Sequence, residues 1–144
     1  MSLAPGADPL KVVLDTNIYI AAFAYPRGRN AALWIAALQG RYRLLVSPAI
    51  IREIAQVLRS DFGWDEDRVQ STVRVVAQRS DAVVAPRTVL KVASDPDDDR
   101  ILECAVDGKA DLIVSNDHHL LDLKVYAGIA IIAGVDFRRT LALR

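Results

Sequence analysis

Four acidic residues of this 144-residue chain, Asp15, Glu53, Asp98 and Asp117, have the types and positions that a carboxylate-built reactive centre would need. Asp15 ends the run Lys11-Val12-Val13-Leu14. A short, continuous apolar run of this kind suits a strand buried on both faces, so Asp15 falls at a strand's carboxyl end, where ligands bind in open α/β sheets. Asp117 repeats the pattern: Leu112-Ile113-Val114 leads into Ser115-Asn116-Asp117. Read alone, Asp117 is an N-cap for the short segment His118 to Leu121. Asp98 belongs to the acid-rich stretch Asp95-Pro96-Asp97-Asp98-Asp99, which opens a helix running to about Asp107. On that helix Asp98 precedes Ile101 and Leu102 by three and four residues and Ala105 by seven, so it shares their inward face. Asp95 and Asp97 read as cap and turn residues, and Asp99 as a flank. Glu53 lies among the apolar positions of an early helix and, taken alone, is a solvated helical glutamate.

Carboxylates brought into one crevice repel each other unless cations neutralise them or some stay protonated. Hard oxygen donors without a cysteine or a convincing histidine pair suit Mg²⁺ or Mn²⁺ rather than zinc. His118 and His119 are adjacent rather than helically spaced and read as exposed loop histidines. The chemistry that follows is hydrolysis of a phosphodiester, with the ion activating a water and stabilising charge on the leaving oxygen.

The elements that must position these acids are legible as alternating patterns. Five short apolar runs, at Val12–Leu14, Leu44–Val46, Val83–Val84, Leu112–Val114 and Ile129–Ala133, are interleaved with helical periodicities. Helices are expected over Ile18–Ala24, over Ala31–Gln39 with Asn30 as N-cap, from Ser47-Pro48 through Ile54, Ala55 and Leu58, over Asp65–Ser80 with Val69, Val73 and Val76 inward, and over Val135–Leu143. This alternation implies an α/β fold with a parallel sheet and helices on both faces. Val83-Val84, near Pro86, suits an edge strand.

With 52% hydrophobic and 25% charged residues the chain can bury the core of one domain. We expect a disordered lead-in over residues 1–10 and a single domain over residues 11–144. Equal numbers of basic and acidic residues, 18 of each, argue against a protein that coats polyanions constitutively. One cysteine, Cys104, excludes an internal disulfide framework and reads as a small buried hydrophobe. No apolar run reaches membrane-spanning length and no signal-peptide pattern opens the chain, so a cytoplasmic location is expected.

Asp15-Thr16-Asn17 after a strand, Glu53 on an early helix, Asp95-Pro96-Asp97-Asp98 before Ile101-Leu102, and Ser115-Asn116-Asp117 after a strand together resemble the PIN-domain family of metal-dependent ribonucleases. Many small members are VapC-type toxins of toxin–antitoxin pairs. The resemblance covers Lys11 to Leu143. It implies a central five-stranded parallel sheet and makes Asp15, Glu53, Asp98 and Asp117 the ligands of Mg²⁺ or Mn²⁺, with Asn17 and Ser115 supporting them by hydrogen bonding. It also implies single-stranded or structured RNA as substrate, an antitoxin partner and a homodimer. Ser115 stands where threonine is commoner, and the hydroxyl is retained. Two other readings use the same acids: a catalytically silent module that keeps the pocket for RNA or protein contact, and a phosphoacceptor receiver domain. The receiver reading wants an acidic pair near the first strand, and here one acid is followed by Thr16 and Asn17.

Overall fold

The computed structural model describes residues 9–143. Residues 1–8 of the expected lead-in lie outside the described residues. Leu10, at its end, is already buried in the core, and its carbonyl accepts the Arg43 N–H at 2.7 Å.

Three wholly or nearly wholly apolar strands make the centre of the sheet: β1 (Lys11–Leu14), β2 (Arg43–Val46) and β4 (Leu112–Val114). Between β1 and β2 run α1 (Thr16–Ala24) and α2 (Arg29–Leu38). Then come α3 (Pro48–Ser60), α4 (Glu66–Arg79), the two-residue β3 (Ala82–Val83) and α5 (Pro96–Asp107) ahead of β4. The chain closes with α6 (His118–Leu121), β5 (Val125–Tyr126), β6 (Ile129–Ile132) and α7 (Gly134–Ala142). The sheet order is β3-β2-β1-β4-β6-β5. Five strands are parallel, as expected, with Val12 opposite both Leu44 and Leu112.

The sheet departs from the five-stranded expectation by a sixth strand. β5 pairs antiparallel with β6 through a hairpin whose two central residues, Ala127 and Gly128, both have positive φ, 51° and 78°. That turn is usually written with asparagine or aspartate before glycine. An alanine there, and a strand of only two residues, leave no readable signal.

The helix starts follow local chemistry. Ser47 accepts the Ile50 N–H at 3.2 Å with Pro48 in the first turn, and Asp65 accepts the Arg68 N–H at 2.9 Å. The inward residues of α4 are Val69, Val73 and Val76, and Cys104 is fully buried on α5. Asn30 is not the cap of α2: the helix starts at Arg29 behind Gly28, because Asn30 turns its side chain to Asn116, whose Nδ2 donates to Asn30 Oδ1 at 3.3 Å.

The segment between β3 and α5 has no regular structure, so its backbone donors need other partners. Acids spaced by four along α5 supply them. Asp107 accepts the Arg87 and Thr88 N–H groups at 2.7 and 2.8 Å, Glu103 that of Leu90 at 2.8 Å, and Asp99 those of Val92 and Ala93 at 3.1 and 2.8 Å. Asp99 is therefore buried against this strap rather than a solvated flank.

Candidate metal centre

The chain moves from β1 outward to β2 and β3, then α5 carries it back across β1 to β4 on the other side. β1 and β4 are thus neighbours from which the connections run in opposite directions, and such a switch point opens a crevice at the strands' carboxyl ends. Asp15 and Ser115 sit in it. The Asp15 N–H donates to the Val114 carbonyl at 2.8 Å, and the Ser115 N–H to the Ile132 carbonyl at 3.0 Å, so the sheet ladder itself fixes where both side chains begin.

Ser115, fully buried, ties two of the acids together. Its hydroxyl donates to Asp15 Oδ2 at 2.7 Å and accepts the Asp117 N–H at 3.0 Å. Asp117 in turn caps α6 by accepting the His119 N–H at 2.9 Å, so its N-cap reading holds alongside its place at the crevice. Asn116 braces the same turn by accepting the Gly134 N–H at 3.0 Å. Asp98 enters from the first turn of α5, buried, while Asp95 caps that helix by accepting the Asp97 N–H at 2.9 Å and Asp97 is exposed. Glu53, partly buried on α3, accepts a hydrogen bond from Thr16 Oγ1 at 3.1 Å.

The hydrogen bond to Glu53 thus comes from Thr16, which had no role in the expected site, while Asn17 is exposed. Successive helical residues point about 100° apart, so Thr16 and Asn17 leave α1 in different directions. The available signal was the β-branched hydroxyl directly after the strand-end aspartate.

The electrostatics are those of crowded carboxylates. Burial pushes Asp15 above the ordinary carboxylate range, against the lowering effect of the Ser115 hydrogen bond, and Asp117 and Asp95 push it further up. Burial lifts Glu53 to about 7, with Asp97, Asp15 and Asp95 adding and the Thr16 hydroxyl opposing. Asp98 is raised to about 6 by burial first and then by Asp117, Asp15 and Asp95. Each shift is the cost of holding negative charge among like charges away from water.

The donor set fits a hard divalent cation. Asp98 Oδ2 is buried with no hydrogen-bond donor among the described residues, an arrangement costly for an ionised oxygen unless a cation meets it. The acids offer only oxygen ligands, the preference of Mg²⁺ and Mn²⁺. Among the described residues no three of these four carboxylates bring ligand atoms within 4.8 Å of one another. Beside the acids runs a groove of about 490 Å³ lined by Arg52, Glu53, Gln56, Asp97 and Arg100.

Comparison with known proteins agrees with this architecture. The family model described as PIN domain matches residues 11–119. Uncharacterized protein MJ1680 of Methanocaldococcus jannaschii is 28% identical over 120 residues, which span 80% of this chain and 76% of that protein. Among solved structures, a chain in the crystal structure of VapBC2 from Rickettsia felis, bound to a DNA fragment from their promoter, superposes with a TM-score of 0.61. The match covers 86% of this chain and 98% of that one at 13% identity, so the likeness is one of fold.

Proposed function

This chain belongs to the PIN domain family, and from that premise we propose that it is an endoribonuclease that hydrolyses phosphodiester bonds of single-stranded RNA, using Mg²⁺ or Mn²⁺ held by Asp15, Glu53, Asp98 and Asp117. The observation that carries the reading is the orphaned, buried Oδ2 of Asp98 at the β1/β4 crevice, beside acids whose ionisation is already resisted.

When bound, the divalent ion supplies the charge that activates an attacking water and stabilises the leaving oxygen. The rest is work for the chain's own groups. Ser115 holds Asp15 by its hydroxyl and Asp117 through its backbone, so the two acids keep one geometry relative to the sheet ends. Burial and the neighbouring acids raise Glu53 to about 7 without the ion, so a bound cation would be what favours its charged form. Thr16 orients Glu53. Arg52, exposed in the adjoining groove, meets the RNA backbone as a phosphate contact, whereas Arg100 is committed to Glu103 by a 2.7 Å ion pair.

By the same reading the protein is the toxin of a toxin–antitoxin pair, restrained by a small partner protein. What supports this is the family together with the fold likeness to a VapBC2 chain.

The test is cleavage of a mixed RNA pool by purified protein with Mg²⁺ or Mn²⁺. Cutting should stop on chelation. In Asp15→Asn, which removes a charge at nearly constant volume, it should fall at least about a hundredfold with an unchanged circular dichroism spectrum. Wild-type rates from that variant would remove the assignment.

A further inference from the structure

We propose that Asp117, His118 and His119 form a second cation site, one containing nitrogen donors and suited to Zn²⁺ and similar borderline divalent ions, which shares Asp117 with the carboxylate cluster. The proposal goes beyond the nuclease reading; it shares Asp117 with it and borders another of its acids, Asp98.

Adjacent side chains at a helix start ordinarily diverge. Here they do not. Asp117 Oδ1 lies 3.3 Å from His119 Nδ1 and 3.9 Å from His118 Nδ1, and ligand atoms of the three residues all lie within 4.8 Å of one another. The two imidazole rings stand side by side, centroids 4.1 Å apart and planes inclined by 34°. The cause is the cap. By accepting the His119 N–H at 2.9 Å, the Asp117 carboxylate is folded back over the first turn of α6, next to both rings.

The spacing matches a metal. A tetrahedral ion with bonds of about 2.0–2.2 Å separates its donors by about 3.4 Å, close to the shorter of the two separations and reachable from the longer by a small rotation of an exposed ring. Both rings are exposed, so His118 has solvent to rotate into, and the remaining positions are open to water.

A second observation points to the same place. His119 lines a cavity of about 170 Å³ together with Asp98, Ser94 and Asp122. Asp98 is 5% exposed and carries the oxygen that lacks a donor. An ion seated on the imidazoles therefore has an unsatisfied carboxylate within the adjoining space.

Nitrogen donors shift the preference. Oxygen-only sites suit Mg²⁺ and Mn²⁺, whereas imidazole favours zinc and the later first-row ions. An ion on the imidazoles withdraws Asp117 from the carboxylate cluster, so zinc opposes Mn²⁺ rather than replacing it.

The experiment is a Zn²⁺ titration against a competing chromogenic chelator, near neutral pH, with neither RNA nor Mn²⁺ present. It compares the wild-type protein, the double variant His118→Ala/His119→Ala and Asp15→Asn. Circular dichroism confirms that each is folded. One Zn²⁺ should bind the wild-type chain. Affinity should drop by at least about tenfold in the double variant and by less than about twofold in Asp15→Asn. A smaller loss in the double variant, an equal loss in Asp15→Asn, or no binding by the wild-type chain overturns the site. Failure of the nuclease reading shows elsewhere, in RNA left uncut with Mn²⁺ and no zinc present, so the two outcomes separate.

Discussion

Ser115 shows how much one hydroxyl can govern at this crevice. It is both donor to Asp15 and acceptor for the Asp117 backbone, at 2.7 and 3.0 Å, and it is wholly buried. Ser115→Ala removes both contacts at once. Asp15 then loses the hydrogen bond that opposes its burial, and the Asp117 N–H is left without its acceptor. Residues that orient metal ligands typically contribute about 10–100-fold to metal affinity or activity. We expect Mn²⁺ affinity to fall by that amount in Ser115→Ala, and Ser115→Thr to retain most of it. Calorimetric Mn²⁺ titration checks this, and equal affinity in the alanine variant would show that the bridge does not position the acids. Asp98 and Asp99 part ways at the same scale. With Pro96 in the first turn, Asp98 falls in phase with Ile101, Leu102 and Ala105, which are all buried, and Asp99 falls in phase with Glu103 and Asp107.

Helix α5 carries two acidic faces with different duties. One presents Asp98 to the crevice, and the other, through Asp99, Glu103 and Asp107, holds the strap that leads from β3. Asp99→Ala should leave the Val92 and Ala93 amides without partners. Hydrogen exchange at those two amides should then accelerate, with a loss of stability of about 1–3 kcal/mol by chemical denaturation. Protection unchanged at both amides would mean that the strap is held by something else. The strap also marks where sequence reading stops. Capping chemistry and apolar periodicity are local, so Ser47, Asp95 and Asp117 could be placed from their neighbours, and the parallel strands from their uninterrupted apolar runs. A segment without periodicity gives no sign of what it packs against, although the spacing of Asp99, Glu103 and Asp107 held the clue. Asn30 read as a cap for a similar reason, since its partner Asn116 is 86 residues away in the chain. Thr16 went unread as a donor, because which residue after Asp15 reaches Glu53 depends on the packing of α1 against α3.

For the molecule as a whole, the crevice sets a pH dependence opposite to that of most folded carboxylates. Glu53 and Asp98 are raised to about 7 and about 6, and Asp15 is raised as well. A carboxyl group whose pKa is higher folded than unfolded contributes stability below its unfolded value and loses it as pH rises through the folded one. The lowered groups, Glu66 and Asp107, act in the other direction but below the ordinary carboxylate range. Between about pH 5 and about pH 8 the raised groups dominate, so stability falls as pH rises through that window. The metal-free protein should therefore melt several degrees lower at the upper end of that window, and Mn²⁺ should raise Tm more there than at the lower end. A flat or rising metal-free Tm would contradict the crowding of these acids. The sheet's margins carry a further consequence. β3 and β5, the outermost strands, are each two residues long, and β5 is turned antiparallel by the Ala127-Gly128 hairpin. Neither margin offers the length of unpaired backbone on which another chain could continue the ladder. Self-association by sheet extension is thereby disfavoured at both ends, so a contact between two copies of this chain would run through side chains rather than through main-chain hydrogen bonds.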